Sequence, residues 1–238
     1  MRWRLDGQEV DALTFEPDGS ELETPNRHAD REAPHDVIDV SDATGGRATE
    51  RSADDPGSDP LIRLVRSDTL RPDEVVALRE LFDEAWSDDV EGFTDQDWGH
   101  AVGGVHVIAE ADGRVAAHAS LVERELHTAG HRLRTGYVEA VATRPSHQRR
   151  GLGTLVIGEV GELIDRTYRL GALATGVVGF YERLGWVAWE GPTFVRTGSG
   201  LVRTAEEDGN VFVRLTPTSP ELDLSAPISC EWRPGDAW

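Results

Sequence analysis

The chain has 238 residues and a formal net charge of −20, from 44 acidic residues against 24 basic ones, every one of them arginine. The absence of lysine excludes a Walker-type phosphate loop, and a single cysteine, Cys230, excludes an internal disulfide or a thiolate metal cluster. The acidic field disfavours nucleic acid, no apolar run reaches the length of a membrane span, and the N-terminus lacks a signal-peptide core; a cytoplasmic protein without membrane or nucleic-acid partner is predicted.

Residues 1–60 open with a short strand-like pattern (Trp3, Leu5, Val10, Leu13, Phe15) and then turn polar, with 16 acidic residues against six arginines. SDATGGRATERSADDPGSDP has almost nothing to bury, so an acidic, disordered extension is predicted there. Residues 61–238 suit one domain.

LIRLVR at 61–66 alternates as a strand does. Pro72 then sits where the first turn of a helix tolerates it, ahead of a stripe formed by Val75, Leu78, Leu81, Phe82 and Ala85. Residues 105–110 and 114–122 flank Asp112-Gly113, and a second turn at Ala129-Gly130 leads into 131–143, so three consecutive antiparallel strands are predicted. Residues 152–166 switch to helical period through Leu152, Leu155, Val156, Val160, Leu163 and Ile164. Gly158 and Gly161 weaken that helix intrinsically, which predicts close packing at both. A strand at 170–174, a short helix at 178–184 ending at Gly185, and late strands at 187–189, 211–215 and 228–232 complete an α/β (α+β) order.

RPSHQRRGLG at 144–153 gathers three arginines and two glycines between a strand and a helix. Unpartnered N–H groups and the positive dipole end make a helix start an anion site, and Gly151 and Gly153 let a ligand approach the backbone. Arg149 and Arg150 add donors matched to phosphate oxygens. A solvated charge run is the alternative reading of the same residues.

Glu139 lies between Val138 and Ala140 in a segment apolar enough for a central strand. An ionised carboxylate there is costly unless paired or wetted, and burial pushes its pKa up. That suits either a general base for an alkylammonium or a structural carboxylate paired with an arginine.

Gln148-Arg149-Arg150-Gly151-Leu152-Gly153 resembles the Q/R-x-x-G-x-G/A signature of the GNAT acetyltransferase superfamily. FTDQDWGHAVGGVH, GYVEAVATRP, GWVAWEGPT, EEDGNVFV and CEWRPGDAW extend the resemblance over residues 61–238, to the aminoglycoside 2′-N-acetyltransferase branch. The resemblance implies a GNAT fold, a mixed central sheet flanked by helices, with acetyl-CoA as co-substrate, a small cationic amine as acceptor and a homodimer. It places the cofactor on Val141, Ala142, Thr143, Gln148, Arg149, Arg150, Gly151, Leu152 and Gly153. It assigns the base to Glu139, acting through water, and the acid that protonates the leaving sulfur to Tyr181, for which a packed core tyrosine is the alternative. Asp236 and Trp238 match substrate-contacting positions, and Glu206 and Glu207 fall in an acidic turn near substrate. Where relatives carry a substrate-binding Asp before Phe-Thr, this chain has Gly92, with Glu91 as the available replacement. Acetylation of another amino-sugar or a polyamine, and a non-catalytic CoA sensor, remain the alternative functions.

The histidines lack metal-ligand spacing with carboxylates, so no metal is predicted. Ser146 beside His147 is a pair of sequence neighbours rather than a nucleophile and its base. Cys230 is expected to be a buried structural thiol.

Overall fold

The computed structural model describes residues 59–90 and 92–238, so the acidic extension up to residue 58 and Glu91 lie outside the described residues. In chain order the elements are β1 (Leu61–Arg66), α1 (Pro72–Ala85), α2 (Asp95–Ala101), β2 (Val105–Ala111), β3 (Arg114–Thr128) and β4 (His131–Thr143). Then follow α3 (Leu152–Thr167), β5 (Leu170–Ala174), α4 (Val178–Glu182), β6 (Val187–Ala188), β7 (Thr193–Thr197), β8 (Gly200–Arg203), β9 (Val211–Leu215) and β10 (Ile228–Glu231).

All the strands join one mixed sheet, with β4–β5 and β7–β10 parallel and the other pairs antiparallel. Asp112 and Gly113 both take positive φ, 54° and 75°, and Ala129 and Gly130 do the same at 46° and 79°. Two-residue turns of that hand match strand twist, and they stack β2, β3 and β4 as a meander. At 15 residues, β3 is long enough to serve two partners along one edge, β2 up to Leu121 and β10 at His127–Thr128.

Alternation along the strands sends neighbouring side chains to opposite faces. Val107 packs under α3 with Val156, Val160 and Ile164, while Ile108 packs under α1 with Leu78, Leu81 and Phe82. Each such fully buried side chain contributes about 1.5–3 kcal/mol of transfer free energy. A third cluster, Leu126, Leu133, Trp189, Val195, Ile228 and Cys230, joins the C-terminal strands to the far halves of β3 and β4.

Three features depart from the sequence reading. Gly158 has open space where a Cβ would stand, so the expected close packing fails there; at Gly161 the Arg214 guanidinium lies 3.2 Å from that point, so it holds. The helix α2 was not expected: Thr94 accepts from the Asp97 N–H at 3.3 Å and Asp97 accepts from the Thr94 N–H at 2.7 Å, a reciprocal cap that starts a helix without a long apolar stripe. The β7–β8 hairpin was also missed, because its residues carry little alternation.

Candidate active site

β4 and β5 pair only at Thr135–Tyr137 with Leu170–Ala172 and then separate. Beyond that point β5 stays with β9 and β4 stays with β3, so among the described residues the β4 edge from Val138 to Thr143 has no strand partner on the β5 side. The gap opens into a cleft of about 990 Å³, bounded by that edge, the start of α3, the end of β5, and α4.

The β4 edge is also bulged. Ser120 pairs with Glu139 and His118 with Ala142, which leaves Ala140 and Val141 opposite a single residue of β3. Ala140 takes φ 48°, a left-handed conformation disfavoured for a residue with a Cβ. Two side chains of β3 hold the carbonyls on either side: Ser120 Oγ donates to the Glu139 carbonyl at 3.1 Å, and His118 Nδ1 lies 2.8 Å from the Ala140 carbonyl. Behind His118, His106 Nδ1 lies 2.9 Å from its Nε2, and Ser67 Oγ lies 2.9 Å from His106 Nε2. A carbonyl only accepts, so His118 donates from Nδ1 and His106 donates to His118, with both rings neutral. Burial pushes His106 down to about 4 and His118 down to about 3.

Glu139 sits at this bulge. Burial raises its pKa, opposed by Arg233, whose guanidinium Nη1 lies 2.6 Å from Oε1 without an aligned hydrogen bond. The arginine of the structural alternative is thus present, beside a carboxylate whose pKa burial raises. Arg233 was not singled out, although it stands inside the CEWRPGDAW stretch.

The turn from 148 to 153 closes the other end of the cleft. Arg149 (φ 63°) and Gly151 (φ 84°) are left-handed, and Gly151 caps α3 without a side chain of its own to bind the first N–H groups of the helix. A Cβ on Gly153 would meet Thr143 Oγ1 at 3.4 Å, which records how closely the turn approaches β4. Gln148, Arg149, Gly151, Leu152 and Gly153 line the cleft together with Val141, Ala142 and Thr143. Arg150 is directed elsewhere: its guanidinium donates to Asp112 at 3.0 Å. Ser146 and His147, read as mere neighbours, are hydrogen-bonded at 2.9 Å, and His147 Nε2 lies 3.3 Å from the same Asp112, tying the turn to the β2–β3 hairpin.

Tyr181 of α4 lines the cleft, its ring edge-on to Phe180 and Trp186, and burial pushes its phenol up to about 12. Arg183, two residues on at the C-terminal end of α4, lines the same cleft and was not foreseen.

The acidic residues converge from distant parts of the chain. Glu207 is pushed up by burial and by the nearby charges of Asp236 and Glu206, and Glu139 also feels Asp236. Trp238 is buried and donates from Nε1 to Thr204 Oγ1 at 3.1 Å, which seats the C-terminus beside the acidic turn. Gly92 adopts φ 61°, a conformation that favours glycine over a substituted residue. Cys230 is buried, its thiol pushed up to about 11 by burial, with Sγ 3.3 Å from the Ala237 carbonyl, as a structural thiol should be. Among the described residues no group of histidine, cysteine and carboxylate ligands could hold a metal ion, and no helix is long and apolar enough to cross a membrane.

A bulged strand parting from its parallel neighbour over a glycine-arginine turn defines a class of acyl-transfer fold. Residues 66–188 match the family model described as an acetyltransferase (GNAT) domain, and the chain belongs to that family. An aminoglycoside 2′-N-acetyltransferase of Mycolicibacterium fortuitum is 40% identical over 180 residues, which cover 74% of this chain and 91% of that protein. Among solved structures, a GNAT family N-acetyltransferase of Escherichia coli in complex with CoA is 15% identical with a TM-score of 0.48, covering 75% of this chain and 93% of that one. A GNAT family acetyltransferase of Brucella melitensis in complex with acetyl-CoA is 19% identical with a TM-score of 0.42, covering 63% and 94%. The protein is an acyltransferase with the GNAT fold, a curled mixed sheet flanked by helices.

Proposed function

We propose that this acyltransferase uses acetyl-CoA to acetylate an amine of a polycationic amino-sugar, the 2′-amine of an aminoglycoside, by direct transfer in a ternary complex. The observation that carries the reading is the opposition of charges around one cleft. A helix start with Arg149 lines one end, and Glu139 lines the β4 edge, where the charge of Asp236 reaches both Glu139 and the acidic turn of Glu206 and Glu207. The first suits a pyrophosphate and the second a polycation. The name of the 40% identical relative supplies the acceptor class and its position.

The cofactor fits the unpaired edge of β4 and the turn after it. Val141, Ala142 and Thr143 would hold its extended arm by backbone hydrogen bonds, and Gln148, Arg149, Gly151, Leu152 and Gly153 its pyrophosphate. Arg150 would add long-range charge only, since Asp112 occupies it. When bound, acetyl-CoA supplies an activated thioester. Glu139, kept from full ionic solvation by burial, takes a proton from the substrate ammonium through water and frees the attacking lone pair. The N–H of Val141 donates to the thioester oxygen as negative charge grows there, an interaction stronger in the transition state than in the ground state. Tyr181, neutral across the working pH range, gives its phenolic proton to the sulfur as the C–S bond breaks.

A thiol-release assay with acetyl-CoA over an amine panel, followed by mapping of the acetylated nitrogen, tests the reading. Turnover of 2′-amino aminoglycosides but not of their 2′-hydroxy analogues is expected. Turnover of polyamines alone would transfer the activity to another acceptor. Tight CoA binding with no turnover of any amine would make the protein a CoA-binding module.

A further inference from the structure

We propose that Arg233 is a positioning residue that couples the base to the substrate clamp, as the counter-ion of Glu139 and the hydrogen-bond anchor of the C-terminal segment that carries Asp236 and Trp238. The inference rests on the assignment of Glu139 as the base. Its ground is the set of contacts made by one guanidinium. Nη1 lies 2.6 Å from Glu139 Oε1, Nε donates to the Asp236 carbonyl at 2.7 Å, and Nη2 reaches the Trp238 carbonyl at 3.4 Å. The side chains of Arg233 and Glu139 are each only 15% exposed, so the pair is largely shielded from water.

A planar fork reaches three acceptors at once, which a lysine ammonium on a flexible stem cannot reproduce in the same geometry. Charged and titratable groups surround Glu139 and Arg233 from several elements, among them His100 of α2, which feels Arg233 and lies 2.7 Å from the Pro234 carbonyl. Arg124 comes from β3, Tyr137 from its own strand, and Arg233 and Asp236 from the C-terminal segment. The guanidinium carbons of Arg124 and Arg233 lie 4.6 Å and 5.7 Å from the Tyr137 ring centroid. Arg124 is committed to Glu231 of β10 at 2.7 Å, while Ser120 and His118 hold the backbone carbonyls of Glu139 and Ala140 at the bulge. Arg233 is thus the cation in direct contact with the base. Its loss leaves a buried carboxylate beside Asp236, which favours protonation of Glu139.

The test is the pH dependence of kcat/KM for a 2′-amino aminoglycoside in the full chain, with CoA binding and thermal melting as checks on folding. In R233Q the acid limb is expected to move to higher pH by about one unit or more, with the amine KM raised about tenfold or more. In R233K the charge remains and the limb is expected near its original position, while KM stays raised because the fork is lost. An unmoved limb in R233Q, a moved limb in R233K, or a wild-type KM in R233K would each overturn the proposal. Should R233Q not fold, R233K still decides by the same two readouts. E139Q run alongside separates the causes. E139Q at wild-type turnover overturns the base assignment and this inference with it, whereas an inactive E139Q beside an unmoved limb in R233Q overturns this inference alone.

Discussion

His118 Nδ1 donates to the carbonyl of Ala140 across 2.8 Å, so a buried neutral imidazole on β3 holds the left-handed residue that breaks the regularity of β4. The bulge would otherwise relax toward a regular ladder, because αL costs a substituted residue about 1–2 kcal/mol. The cleft edge is therefore shaped by an inward-facing pair of histidines that do not line the cleft themselves but reach it through the Ala140 carbonyl.

Stability should fall as pH drops through the range where free histidine takes a proton. Both folded-state pKa values are depressed, to about 4 for His106 and about 3 for His118, so the unfolded chain binds protons first and the native state loses ground below about pH 6.5. The contribution is complete above that pH and declines through the window down to the folded values. Each histidine adds a slope of up to about 1.4 kcal/mol per pH unit, or roughly 2–3 kcal/mol for the pair between pH 7.5 and 5.5. His100, lowered by its own burial, titrates in the same direction. Urea unfolding over that range measures the slope, and a flat profile would contradict neutral burial.

Tyr181→Phe keeps the ring that packs on Phe180 and Trp186 but removes the proton donor. A loss of about 10²-fold in kcat is expected, with the melting temperature and the affinity for CoA preserved. Full turnover in this variant would reduce Tyr181 to a packing residue.

The two neighbouring arginines of the turn should behave differently. Arg149→Gln removes a cation that lines the cleft and is expected to raise KM for acetyl-CoA about tenfold. Arg150→Gln removes a partner of Asp112 and should change KM less than about threefold, with a small loss of stability at most. Equal effects in steady-state kinetics would mean that charge alone, and not placement, matters in this turn.

Asp236→Asn weakens the acidic group that surrounds the proposed amine site while leaving the backbone carbonyl bound by Arg233. The amine KM is expected to rise about tenfold, and the dependence of KM on ionic strength should become shallower because one screened attraction has gone. An unchanged salt dependence would separate Asp236 from substrate binding.

Much of the fold could be read from local pattern. The αL turns at Asp112-Gly113 and Ala129-Gly130, the period of α3 and the glycine-arginine turn each depend on residues within one turn or hairpin. Elements with a weak local signal were lost: α2 starts from a two-residue cap, and β7 and β8 gain their order from pairing with each other and with β10. The packing expected at Gly158 failed because a helix period marks a face but not the distance to whatever lies opposite.

Alone, the sequence determined the elements with a strong local pattern, the acidic character, the glycine-arginine turn ahead of α3 and the unusual carboxylate at 139, since each follows from residues within a few positions of one another. Only the tertiary structure decided what those pieces meet. It placed Arg233, 94 residues further along the chain, on Glu139; it turned Arg150 away to Asp112; and it joined His106 to His118 behind the bulge. Contacts between residues far apart in the chain depend on register, sheet twist and the path of the C-terminal segment, and no local propensity encodes these.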